Sequence, residues 1–187
     1  MNKEQHDARL QKKQEAVEIK KYKLQQRIFV MTSRFNTQTR AENERFREKH
    51  WKSGCLYCAP EEVSQQIPPL AKMVVLEMDN DQNQIFAIGL CANRAAVQKY
   101  TVYENHNYNR YNYIGKQRIL RSEFNPTEEA VFKALDQITF FGPDHMKRGH
   151  GLKAFPTKLL VYCKSVLDIP TFLDNMFTQR IHDPKGV

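Results

Sequence analysis

Two apolar runs, Lys72-Met-Val-Val-Leu-Glu-Met-Asp79 and Gln84-Ile-Phe-Ala-Ile-Gly-Leu-Cys91, flank four polar residues, Asn80-Asp-Gln-Asn83. Apolar, β-branched runs separated by a short polar turn specify a β-hairpin. The first run is nearly continuous in apolar residues, so both faces of its strand must be covered. Gly89, inside the second run, marks a bulge or a close approach by another backbone or a ligand. Glu77 and Asp79 share one strand face and offer a carboxylate pair, but flanking the turn at Asn80 without chemistry is the preferred reading.

Around this hairpin the chain alternates between strand and helix signals. Arg27-Ile-Phe-Val-Met-Thr32 reads as a first strand. Asn36 or Thr37 then caps a charged helix running to about His50. Residues 100–104 and 110–120 supply two or three more strands. Asn125-Pro-Thr-Glu128 is a helix start with an Asn cap, Pro at the first helical position and Glu three residues on. Further helices are expected from Pro156 to about Leu167, and from Asp168 to about Arg180. The class is α+β: a small antiparallel β-barrel or strongly bent sheet surrounded by helices.

Ahead of this unit, residues 3–27 contain no Gly or Pro and place Leu10, Val17 and Leu24 seven residues apart. That pattern predicts a long exposed helix with a thin heptad-like seam, ending at Ile28. The division is therefore a helical extension over 1–26 and one α+β domain over 27–187. Residues 1–50 hold 13 Lys/Arg and 7 Asp/Glu, or +6 of the chain's net +8. A basic arm of this kind lies on nucleic acid, or serves as a homodimer or assembly contact through residues 3–28.

The basic excess, with a pI near 9.3, favours a polyanionic partner, nucleic acid before an anionic membrane. No apolar stretch approaches the length of a membrane span. The charged opening residues lack the apolar core of a secretory signal, so an intracellular, non-secreted protein is expected. The four cysteines are too few and too scattered for a disulfide scaffold. Cys55 and Cys58 have half-site spacing for zinc, with His50 as a further weak candidate. Against that stands the absence of a second Cys-x-x-Cys or a His pair, and packed thiols are the better reading.

Five of eight tyrosines lie between Tyr100 and Tyr113. Trp51, Tyr57, Tyr108, Tyr111 and Tyr113 are candidates to stack on unpaired bases, and Asn107, Asn109 and Asn112 to read base edges. Arg110, Lys116, Arg118, Arg121, Lys147 and Arg148 are candidates for phosphate. The competing reading of the tyrosines is that they fill a sheet face. No Gly-rich phosphate loop, nucleophile elbow or metalloprotease helix occurs, and no cofactor is implied. Asp144, His145 and His150 offer a nuclease-like set, but a basic, glycine-bordered anion loop is the simpler reading of Gly142–Gly151. A non-enzymatic role is expected.

The strand Ile28-Phe-Val-Met-Thr, the loop Trp51-Lys-Ser-Gly-Cys-Leu-Tyr57, Ile67-Pro and the hairpin ending in Ile88-Gly-Leu90 together resemble the PUA-like superfamily, in particular its EVE and YTH branch. The resemblance spans about residues 27–122. It implies a β-barrel ringed by helices that takes a base, often modified, into an aromatic pocket. A YTH-type methyl cage uses a tryptophan pair, whereas this chain has Trp51 alone. Gly54-Cys-x-Tyr-Cys-x-Pro, Leu76-Glu-Met, Asn109-Arg-Tyr-x-Tyr-x-Gly115 and His145-x-Lys-Arg-Gly149 also resemble an uncharacterised family of nucleocytoplasmic large DNA viruses. That likeness implies an infected cell's cytoplasm or nucleus, or a virion. The function expected is binding of nucleic acid, RNA before DNA, with a virion assembly role as the alternative.

Overall fold

The computed structural model describes residues 3–50 and 54–182, with side chains over 5–50 and 54–181. The hairpin forms from β3 (Lys72–Asp79) and β4 (Gln84–Ala92). Its turn closes because Asp79 Oδ1 accepts the N–H groups of Asp81 and Gln82, both at 3.0 Å. Asn83 takes the left-handed conformation (φ 52°), which asparagine tolerates. Every residue from Met73 to Asp79 is buried, as a strand covered on both faces requires. The ladder shifts register between Glu77 and Met78, so the irregularity lies there and not at Gly89.

The expected antiparallel arrangement is corrected by β1 (Ile28–Phe35), which pairs parallel to β3 from Ile28↔Lys72 to Phe35↔Asp79. Parallel neighbours need a crossover, and this one carries α2 (Thr37–His50) and β2 (Cys55–Ala59). Asn36 caps α2: its Oδ1 accepts Thr39 N–H at 2.8 Å, and Asp81 Oδ2 accepts Thr37 N–H at 2.8 Å. With β6 (Gln117–Leu120) and the two-residue β7 (Lys153–Ala154), the main sheet is mixed, in the order β6-β4-β3-β1-β7. β2 and β5 (Tyr111–Gly115) form a separate antiparallel ribbon. Among the described residues the strands do not close into a barrel. Residues 100–104 are loop, because the chain there folds around side-chain hydrogen bonds instead of a ladder.

The α+β class holds, with α1 (Lys3–Gln25) as the long N-terminal helix. α3 (Pro126–Phe140) starts as its sequence requires: Asn125 and Glu128 form a reciprocal capping box with Pro126 at the first turn. α3 and α5 (Ile169–His182) cover one face of the sheet, burying Phe132, Leu173 and Phe177 against Val74, Leu76 and Ile88. The ribbon covers the other face, where Tyr57 and Tyr113 pack with Met73, Val75 and Ala87. α4 (Thr157–Cys163) bridges α5 and α1.

One ion pair locks α5 to the start of α3: Arg180 reaches Glu128 Oε2 at 2.8 Å. Burial alone would raise the Glu128 pKa, but Arg180 and the Asn125 N–H outweigh it and hold the group below 4.5. A depressed carboxylate stabilises the fold above its unfolded pKa and loses that contribution as pH falls through the folded one. Urea midpoints of the wild type and Arg180→Met should therefore differ most near neutrality and converge as the pH drops below 4.5.

Candidate nucleic-acid interface

The tyrosine run is divided by the ribbon's alternation. Tyr113 pairs with Tyr57 across β2 and β5, and both rings lie in the core, 2% and 1% exposed. Neither is able to stack on a base, which corrects that expectation. Tyr113 Oη accepts the Val63 N–H at 2.9 Å, fixing the loop before β3. Tyr57 Oη donates to Glu77 Oε1 at 2.9 Å, and burial pushes its pKa far above the ordinary value. Tyr111 packs half-buried against the same cluster. Filling a sheet face is thus what the strand tyrosines do. Trp51 lies outside the described residues.

Two of the three asparagines assigned to base edges serve the chain itself. Asn109 Oδ1 accepts the N–H groups of Val102 and Tyr103 (both 3.0 Å), while its Nδ2 donates to Tyr103 O at 2.7 Å. Asn112 is 1% exposed inside β5, where its Nδ2 donates to Asn109 O at 3.4 Å and its buried Oδ1 has no partner. Only Asn107 is exposed.

Two of the phosphate candidates are also interior. Arg118 clasps Glu77 bidentately (Nη2–Oε2 2.7 Å, Nε–Oε1 2.9 Å). Burial would lower the Arg118 pKa, but the carboxylate raises it. Arg121 is held by Glu129 at 2.6 Å and Asp136 at 3.1 Å, and donates to Ile85 O. Both were legible as cations but not as internal ones. Arg110, Lys116 and Arg148 are exposed, and Lys147 is half-buried with Nζ donating to Asn83 Oδ1 at 2.7 Å.

The zinc half-site dissolves for a geometric reason. Three residues apart on a strand, Cys55 and Cys58 point to opposite faces and enter different clusters. Burial pushes the Cys55 thiol up to about 12 and Cys58 higher. His50 stacks on Phe46 instead, with centroids 4.0 Å apart. Among the described residues no three His, Cys, Asp or Glu side chains are placed to share a metal.

What the fold does present is a cleft of about 370 Å³ at the carboxyl ends of the parallel pair β1 and β3. In open α/β sheets the carboxyl ends of parallel strands are where ligands seat. Its walls are Arg34 at the end of β1, Asn80 in the hairpin turn, the 149–151 loop, and Tyr103, Asn105 and Tyr108. Tyr103 is buried, accepts Asn43 Nδ2 at 3.1 Å and meets the half-buried Tyr108 ring edge-on.

Arg34 donates from Nε to Met146 O and from Nη2 to Thr32 Oγ1, but its buried Nη1 has no partner. Asn80 Nδ2 donates to Lys147 O at 3.0 Å, which fixes the amide and leaves its buried Oδ1 unpaired. A buried donor and a buried acceptor without partners are rare and each costs about 1–3 kcal/mol.

Arg34 lies beyond Thr32, where the apolar signal of the first strand ends, so it is not among the residues expected at a site. A cation inside the continuing strand Thr32-Ser-Arg-Phe35 was the signal. His150 lines the cleft, whereas His145 Nδ1 faces the Lys147 N–H at 3.4 Å. An adjoining, more open cleft of about 560 Å³ is lined by Phe46, His50 and Tyr100 with Arg45, Lys49 and Lys99. No protein-family model, curated protein or solved structure matches this chain. Among the described residues no helix is long and apolar enough to cross a membrane.

Replacing Arg118 strands the Glu77 carboxylate in the interior. Arg118→Met should cost about 3–5 kcal/mol of stability, read as a lowered denaturant midpoint, because one member of a buried pair is left uncompensated.

Proposed function

We propose that the protein is a non-enzymatic nucleic-acid-binding protein that seats one unpaired nucleotide, of RNA before DNA, in the cleft beside Arg34. The observation that carries this is the coexistence of an unpartnered Arg34 donor and an unpartnered Asn80 acceptor on the walls of one cleft. A donor and an acceptor from the lining of one cleft are the two functions that the edge of an exposed base needs, and Tyr108 supplies a ring for its face. Arg148, exposed next to the 149–151 wall, is a candidate for the phosphate. The adjoining aromatic cleft, rimmed by Arg45, Lys49 and Lys99, offers a continuation for the strand.

The EVE/YTH-like ancestry and the setting of a large DNA virus, in an infected cell or its virion, belong to this proposal. The hairpin over residues 73–90 and the loop before Tyr57 support it as a resemblance. The ribbon and the mixed sheet would then correspond to an opened barrel.

The test is fluorescence anisotropy with a labelled single-stranded RNA of about 20 nucleotides, a length that exceeds the site of one small binding fold. Tyr108→Ala should weaken binding by about 1–3 kcal/mol, the typical worth of one stacked base. Asn80→Ala, which removes a hydrogen-bond acceptor, should weaken binding and relax base preference. Full affinity in both variants would refute the cleft as the nucleotide site.

A further inference from the structure

The α1 helix is docked on one side only. Advancing about 100° per residue, Glu15, Ile19, Tyr22 and Gln26 fall on one narrow arc, and these four are the half-buried residues of the helix and its exit. They face α4, where Glu15 pairs with Lys158 at 2.8 Å and Lys164 sits 5.4 Å from the Tyr22 ring. This contact fixes which side of α1 looks outward.

Charge is sorted along the same line. Glu15 and Glu18 fall on the half of the helix centred on the α4 contact, and Asp7 at its edge. Arg9, Lys13, Lys20 and Lys21 fall on the opposite half and all four are exposed, whereas Lys12 and Lys23 flank Ile19 on the docked side. Arg9 to Lys21 spans about 18 Å at 1.5 Å per residue. The outward half carries no carboxylate among the described side chains, so its field is uncompensated.

Leu10, Val17 and Leu24 lie within this basic face, 45%, 67% and 78% exposed. A second copy packed on them would oppose four cations with four cations, which disfavours a homodimer seam. Three aliphatic residues at one per two turns, without an aromatic, fall short of the apolar face that an interfacial helix sinks into lipid.

We propose that the outward face of α1 is a phosphate-tracking surface that lies along the backbone of nucleic acid, independent of base identity. It takes its ligand class from the nucleic-acid reading but none of its residues from the cleft. Affinity gained this way comes from counterion release, with a salt dependence of about 0.7 logarithmic units per single-strand phosphate contact.

The experiment uses the full chain with Lys13→Gln, Lys20→Gln and Lys21→Gln combined. These are exposed positions where glutamine keeps nearly the same helix propensity. Binding to a labelled oligouridylate of about 20 nucleotides is followed across salt concentrations. The triple variant should bind at least about tenfold more weakly at low salt, with the slope of log K against log salt reduced by about 2.

Tyr108→Ala and Asn80→Ala change no charge, so they should shift the line without altering its slope. Their failure to shift it would sink the cleft alone. An unchanged slope in the lysine variant would overturn the α1 proposal alone. Two further results would also overturn it. One is loss of self-association in sedimentation equilibrium on changing Leu10, Val17 and Leu24 to Ser. The other is retention of RNA binding by the lysine variant when it has lost binding to phosphatidylserine vesicles.

Discussion

The Glu77 carboxylate holds the two sheets in register. It sits on β3, is clasped by Arg118 from β6, and accepts the Tyr57 hydroxyl from the ribbon strand β2. Taking this charge from water is tolerable only because its oxygens are fully engaged. The arrangement also explains Gly89, whose missing side chain is where the Tyr57 hydroxyl and Cys55 lie. Any larger residue on that strand position would push the ribbon off the sheet. With the ribbon seated, the loop between β4 and β5 is anchored at its far end, and Asn109 folds it so that Tyr103 and Tyr108 form one wall of the cleft.

The opposite wall comes from the parallel pairing. β1 and β3 end together at Phe35↔Asp79, so the first turn of α2 and the hairpin turn emerge side by side. Asp79 and Asp81 spend their oxygens on the N–H groups of those turns, and Arg40 adds a contact to Asp79 at 3.2 Å. The turn acids are thereby consumed locally. Arg34, one pleat back, is left with a guanidinium that its own strand cannot satisfy. The cleft's polar character is a by-product of which groups the turns use and which they leave over.

The features that local chemistry decides were legible in the sequence. The Asn80–Asn83 hairpin and the Asn125/Glu128 capping box depend on residues within four positions of one another, and both form as their sequences prescribe. The partner of β1 was not legible. Nothing in Ile28-Phe-Val-Met-Thr specifies a strand that begins at Lys72, nor whether it runs parallel. The tyrosine run misled because stacking platforms and buried strand faces use the same residue, and only the ribbon's register decides between them. Arg118 and Arg121 read as surface cations for a similar reason: their acids, Glu77, Glu129 and Asp136, are distant in sequence or hidden in a helix. The asymmetry of α1 was written in the sequence throughout, but its direction became meaningful once Glu15 and Tyr22 were seen against α4.

The position of β1 in the sheet has a consequence for the order of events at the ribosome. Both of its neighbours, β3 and β7, lie later in the chain, beginning at Lys72 and Lys153. At about 5–20 residues per second, an apolar strand waits seconds after emerging before either edge can be paired. During that interval it is an open template for other nascent chains. The charged helix translated just ahead of it repels its own kind, so the segment that precedes the vulnerable strand also shields it from neighbouring copies while it waits.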